Sequence, residues 1–283
     1  MANTAAPAGK SWQSIEAAQH IEEAAYFDLF EAAPGAYASA NRMRAVRLPD
    51  ATCFANRGVA IPLFNRVLRM GAASVASEAD LDHALDWMRE YAAPHHTIAL
   101  DKNAQPESLQ DWLHARDYVA SASGLARFSR DPSIPAAAVD SRYTVLKIGN
   151  ERQEDFGRVV QEGFGFPPSL ALWMSRIPGR DRWHTYLACD GDTPVAAAAM
   201  YVDRGTAWLG VGATLPHCRQ GGAQGLLLAR RIADAIGLGV DGMHVETGQP
   251  ADGEPIGPSY RNILRAGFKL LFVRKEYAPA KKS

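Results

Sequence analysis

The stretch from Gly210 to Ile236 limits what this chain can become more than any other. It runs Gly210-Val211-Gly212-Ala213-Thr214-Leu215-Pro216, then His217-Cys218-Arg219-Gln220-Gly221-Gly222-Ala223-Gln224-Gly225, then Leu226 to Ile236. The last block reads as a helix. Leu228, Ile232 and Ile236 fall on one stripe, Arg230, Arg231 and Asp234 lie off it, and no proline interrupts. Leu226, Leu227 and Leu228 make the first turn apolar almost all round, which places that end in the interior. The segment before it is too rich in glycine for regular structure, so its backbone can come close to a ligand. A helix start offers unpaired N–H groups and the positive end of the dipole, and together these hold a phosphate. Arg219 adds a positive charge at the entrance. The stretch reads as a strand, an anion cradle and a helix; a tight strand-to-helix connection would use glycine in the same way.

The cradle has neither a GxGxxG pattern nor a lysine followed by Ser or Thr, so it is not a dinucleotide or nucleoside-triphosphate loop. It resembles the acyl-coenzyme A loop of the GNAT (Gcn5-related N-acetyltransferase) superfamily, Arg/Gln-x-x-Gly-x-Gly/Ala after a strand and a proline. Arg219-Gln220-Gly221-Gly222-Ala223-Gln224 matches at Arg219 and Gly222 and departs at Gln224. Two later blocks keep the family's order. Gly242 to Thr247 reads as a strand, and Pro258 to Phe268 as a helix closed by Gly267-Phe268 and followed by a final strand, Lys269 to Arg274.

That resemblance covers the C-terminal half. It implies an α/β fold (an α+β mixed sheet) of the acyl-coenzyme A acyltransferase type, with acetyl-CoA as co-substrate and no metal. The strand around Ala213, Thr214 and Leu215 would splay from its neighbour and bind the pantetheine arm. The amides of Gln220, Gly221, Gly222, Ala223 and Gln224 would hold the pyrophosphate beside Arg219, and Asn262 would hydrogen-bond the coenzyme near its reactive end. Transfer would go by direct attack of a neutral amine, with rate gained from positioning and from a backbone N–H at the developing oxyanion. Glu246 is the candidate general base, against its use as a salt-bridge partner. Ile263 stands where the family often places a tyrosine acid, and Tyr260, one turn earlier, is the candidate substitute, against a packing role. His244 shares a strand face with Glu246 and reads first as a structural histidine.

The N-terminal half also alternates strands and helices, and Leu113-His114-Ala115-Arg116-Asp117-Tyr118 echoes Leu264-Arg265-Ala266-Gly267-Phe268. Two similar halves follow, of which the first carries no Arg-x-x-Gly-x-Gly pattern between Met70 and Asp80 and reads as a degenerate copy. The expected division is a disordered start (1–13), a degenerate domain (14–130), a linker rich in proline and small residues (131–141) and a coenzyme-binding domain (142–279). Expected elements include a helix over Ser14–Phe30, strands over Arg42–Leu48 and Ile61–Met70, and one strand over Thr206–Thr214. His95 and His96 read as surface or loop residues. Arg176, Arg180, Asp181, Arg182 and Trp183, with Trp173 and Phe166 nearby, read as lining of an acceptor cleft or as solvated surface.

Composition sets the remaining limits. In 283 residues, 47% hydrophobic and 22% charged, a core can be buried, and a net charge of −1 argues against a nucleic-acid partner. Cys53, Cys189 and Cys218 are odd in number and far apart, which fits a reducing compartment and no disulfide framework. With no signal-peptide pattern and no run long enough to span a bilayer, the expectation is a cytoplasmic monomer or homodimer acting on a small-molecule or peptide amine. The alternative is a non-catalytic acyl-CoA-binding sensor or scaffold. A cradle for some other phosphorylated ligand is also compatible with the physics of helix termini.

Overall fold

The computed structural model describes residues 11–280. The expected disorder of 1–13 falls on residues 1–10, outside the described residues, and on Ser11–Gln13, a 3-10 turn in which Trp12 is buried. In chain order the elements are α1 (Ile15–Glu31), α2 (Gly35–Ala40), β1 (Met43–Leu48), β2 (Ala51–Asn56), β3 (Arg66–Leu68), α3 (Glu78–Tyr91), β4 (Thr97–Leu100), α4 (Leu109–His114) and β5 (Tyr118–Arg130). There follow β6 (Thr144–Ile148), α5 (Gln153–Phe164), α6 (Ser169–Met174), β7 (Trp183–Asp190), β8 (Thr193–Asp203), β9 (Thr206–Trp208), β10 (Ala213–Thr214), α7 (Ala223–Gly237), β11 (Gly242–Gln249), α8 (Pro258–Arg265) and β12 (Lys269–Pro279). The mixture of helices with a mostly antiparallel sheet is the expected α/β class.

The chain forms two compact units, each drawn from several segments. Among the described residues the first consists of 26–127, 247–260 and 272–280; the second of 11–25, 128–246 and 261–271.

In the first unit the strands follow the order β1-β2-β3-β4-β12, with β3 and β4 parallel and the other neighbours antiparallel. Its core packs Cys53, Val67, Leu81, Leu85, Met88, Ile98, Leu109, Leu113 and Tyr277 between sheet and helices. The strand expected over Ile61–Met70 is only partly one. Pro62 opens a 3-10 turn, because it has no N–H to give a ladder, and only Arg66–Leu68 pair. Ala51–Asn56, buried at every position, is a strand without the alternation that would have revealed it. His96 lies in the loop before β4, as expected, but is buried and not at the surface, with Nδ1 3.0 Å from Ala93 O and Nε2 2.7 Å from the Tyr118 hydroxyl. Helix α3 begins with a capping box. Asp80 N donates to Ser77 Oγ at 3.2 Å, and Ser77 N to the Asp80 carboxylate at 2.8 Å.

In the second unit the order is β11-β9-β8-β7-β6, antiparallel except where β11 runs parallel to β9. The alanine run of β8, Ala196–Ala199, is wholly buried, and its small side chains let α5 and α7 pack close to the sheet. Trp173, expected near an acceptor cleft, is instead a fully buried core residue. The single strand expected over Thr206–Thr214 is divided into β9 and β10 by Gly210-Val211-Gly212, with Val211 at φ 52°. A β-branched residue in that region is strained, so the bend is held by its surroundings.

Candidate active site

The bend between β9 and β10 opens the sheet of the second unit. Pairs of the parallel ladder run Gly242–Thr206, Met243–Ala207 and His244–Trp208, and Leu209 N donates to His244 O at 2.8 Å. After that β10 goes to β8 instead, with Ala213 opposite Ala197 and Thr214 opposite Ala196. Leu215 N donates to Val195 O at 2.9 Å. Alternation along an antiparallel strand then turns the Thr214 N–H and C=O away from β8, to the side that β11 has left. Of the three residues expected to offer open backbone, Thr214 does so, while Ala213 and Leu215 face β8.

Arg231 holds the bend in place. Its guanidinium is buried and donates to Ala199 O (3.0 Å), Gly210 O (3.2 Å) and Leu227 O (3.2 Å). Burial draws its pKa down to about 10, yet it stays charged at neutral pH. The helical stripe had put Arg231 on the outer face. Its long side chain reaches back to carbonyls that the bend leaves over, a pairing set by residues more than twenty positions away. Arg230 next to it lies at the surface, bonded to Asp234 at 2.9 Å, and Asp234 also accepts from the Tyr186 hydroxyl at 2.7 Å.

Below the bend, a 3-10 turn at Pro216–Cys218 leads into Gln220 and Gly222, both left-handed at φ 69° and 83°, and then into α7. Gly222 is the N-cap, and no side chain caps the helix. The first hydrogen bond of the helix is Leu226 N to Gly222 O, and among the described residues the N–H groups of Gly221 to Gly225 donate to none. These amides are what an anion needs. At Gly221 a side-chain carbon would lie 2.5 Å from the Tyr143 oxygen, so the turn can pass Tyr143 only without one. Ser141 Oγ reaches Gly221 O at 3.4 Å, and Val139 lies beside Gly225. The stretch expected as a linker thus forms a wall of the cradle, which its composition did not indicate.

The departure at Gln224 has a structural use. Its side-chain amide donates to Thr214 Oγ1 at 2.9 Å, tying the first turn of α7 to β10. Arg219 is exposed and donates to Gly163 O at 3.0 Å, at the end of α5, so its charge stands at the cradle entrance. Glu246 lies on β11 two residues beyond the last ladder pair, half-buried, on the face it shares with the buried His244. Asn262 is half-buried on α8, where its side-chain oxygen accepts from Arg265. Ile263 is buried, and Tyr260, also buried, belongs to the first unit. Trp183 packs edge-on against Tyr201 and Trp208, and Arg182 donates to the Tyr201 hydroxyl at 3.3 Å. These two residues are part of the packing of β7 and β8.

No sequence-family model matches the chain, and no curated protein matches it. Solved structures do. A GCN5-related N-acetyltransferase from Kribbella flavida matches at TM-score 0.63 and 16% identity, over 94% of this chain and 96% of that one. A tandem GNAT protein from the clavulanic acid biosynthesis pathway, solved without acetyl-CoA, matches at TM-score 0.55 and 14% identity, over 96% of this chain and 97% of that one. The chain has the GNAT fold. A further GCN5-related N-acetyltransferase, from Sphaerobacter thermophilus, agrees at TM-score 0.59 and 15% identity, over 83% of this chain and 79% of that one. In this GNAT fold the two helix starts contrast. At α3 the Ser77–Asp80 box fills the start and adds a carboxylate, whereas at α7 the amides stay open. A group that repels anions caps the one, and nothing caps the other. Among the described residues no helix is long and apolar enough to cross a membrane.

Proposed function

We propose that this chain is an N-acetyltransferase that moves an acetyl group from acetyl-CoA to a primary amine of a small molecule or peptide. The observation that carries this reading is the pair of open backbone features in the second unit: the uncapped amides Gly221–Gly225 and the Thr214 backbone exposed where β10 leaves β11. The residues present fit the coenzyme. The glycine turn would take its pyrophosphate on amides that have no other acceptor, with Arg219 adding charge, and Asn262 would hydrogen-bond nearer the reactive end. Bound acetyl-CoA supplies the thioester. The chain does the rest. Thr214 N–H binds and orients along the gap, Gln224 and Arg231 fix the strand that carries it, and Glu246 takes a proton from the acceptor ammonium so that the neutral amine can attack. The protein acts in the cytoplasm as a monomer or homodimer, with no metal and no nucleic acid.

Ile263, buried where the family often has its acid, favours one other reading, an acyl-CoA-binding sensor without catalysis. Calorimetry with acetyl-CoA and a panel of primary amines separates the two. Binding lost in Gly222→Glu, with free thiol released when amine is added, is the expected result. Binding without thiol release selects the sensor, and no binding by the parent protein overturns both. For the enzyme, Glu246→Gln is expected to lower kcat by about 10²-fold or more while leaving acetyl-CoA affinity within about twofold.

A further inference from the structure

The first unit contains a cavity of about 560 Å³, away from every residue assigned above, where three arginines meet at the end of α3. The β1–β2 ladder ends at Met43–Asn56, and just beyond it Gly58 N donates to Asn41 O at 3.0 Å, which brings the turn residues Arg42 and Arg57 to the end of the ladder beside Arg44. All three are exposed, and like charges gathered in one place repel unless something answers them. The protein answers two. Arg57 donates to the Glu90 carbonyl in the last turn of α3, and the Arg44 guanidinium lies over the Tyr91 ring, 4.7 Å from its centre. Among the described residues none of the three forms an ion pair with a carboxylate, and Arg42, held at φ 49°, lines the cavity with no side-chain partner. Glu90 is the one carboxylate on the rim, beside the Tyr91 hydroxyl and Ser39.

We infer that this cavity is a second ligand site, for a phosphate monoester with a hydroxylated body such as a sugar or nucleoside. The guanidinium fork matches phosphate oxygens two at a time, and a dianion would offset the gathered charges of Arg42, Arg44 and Arg57. The volume is several times that of a phosphate and falls within the range of sites for whole small molecules. Glu90, whose carboxylate already takes the Tyr91 hydroxyl, and Ser39 line the same cavity and can accept from hydroxyl groups of the ligand. Three guanidinium groups against one carboxylate make the attraction electrostatic, so it weakens with salt.

The test is calorimetric titration of the full chain with AMP, glucose 6-phosphate, inorganic phosphate and citrate at low and high salt. Binding of at least one phosphate monoester is expected, weaker for phosphate alone and for citrate. It should fall about tenfold or more in Arg42→Gln/Arg44→Gln and persist in Gly222→Glu, whose change lies in the cradle. Because variants can fail for other reasons, protection of Arg42 from phenylglyoxal by the bound monoester, read by mass spectrometry on the parent protein, supplies a second readout. No binding by either monoester, citrate binding as well as they do, binding unaffected by the arginine pair, or Arg42 modified equally with and without ligand would each overturn the assignment.

Discussion

Replacing Arg231 by methionine tests whether a buried cation shapes the opening of the sheet. Methionine fills similar length without a charge or a donor. Leu227 O keeps the helix bond of its own turn and Gly210 O keeps the Ala199 N–H at 3.1 Å, so Ala199 O is left without the guanidinium and Gly210 O loses one of two donors. A buried carbonyl robbed of its donor costs about 1–3 kcal/mol. Against this stands relief from burying a charge. The lowering of the Arg231 pKa to about 10 corresponds to roughly 3 kcal/mol disfavouring the charged form, part of which the methionine recovers. With about 2 kcal/mol lost at Ala199 O, about 1 kcal/mol at Gly210 O and about 1 kcal/mol recovered from the buried charge, the balance is a loss of about 2 kcal/mol, or a fall in melting temperature of roughly 4–8 °C. Arg230→Met, one residue away in a partly exposed pair with Asp234, should cost less than about 1 kcal/mol. Urea denaturation of both variants, with calorimetric titration of acetyl-CoA under folded conditions, provides the comparison. Arg231→Met is expected to lose both stability and affinity. If it melts with the parent and binds acetyl-CoA equally well, Arg231 does not hold the bend, and the link between that bend and the coenzyme fails.

Three other outcomes are expected. Gly221→Ala should destabilise the chain and weaken acetyl-CoA binding, because its new carbon would lie 2.5 Å from the Tyr143 oxygen; Gly221→Ala/Tyr143→Ala should recover part of the stability in the same melting assay. Burial lowers the His96 pKa below 6.5, so the unfolded chain takes up this proton first as pH falls. The stability it contributes is complete above about pH 6.5 and is lost as the pH drops towards the lower folded value, and His96→Gln should flatten that part of the urea-midpoint profile. Cys53 is buried and its thiol is pushed up to about 12, so a disulfide exchange reagent at pH 8 should label the half-exposed Cys218 in the folded protein and Cys53 only after urea is added.

The amino-acid order by itself determined those features that depend on near neighbours. Glycines followed by an uninterrupted apolar stripe dictate a turn and a helix wherever they lie, so α7 and its glycine N-terminus were legible from Gly221 to Ile236. The Gly267-Phe268 stop of α8 was legible for the same reason. Alternation did not reveal β2, since a strand buried on both faces has none, and nothing local distinguished one strand over Thr206–Thr214 from two. The tertiary structure alone decided what depends on distant partners. Arg231 is turned inward by the carbonyls of Ala199 and Gly210, and Gln224 is recruited by Thr214. Tyr143 and Ser141 close one side of the cradle, and Arg42 and Arg57 are brought together at the end of the β1–β2 ladder. Periodicity measures how a side chain sits relative to its own helix or strand. Whether a charge belongs outside or inside depends on which unpaired carbonyl, amide or like charge the rest of the fold brings to it.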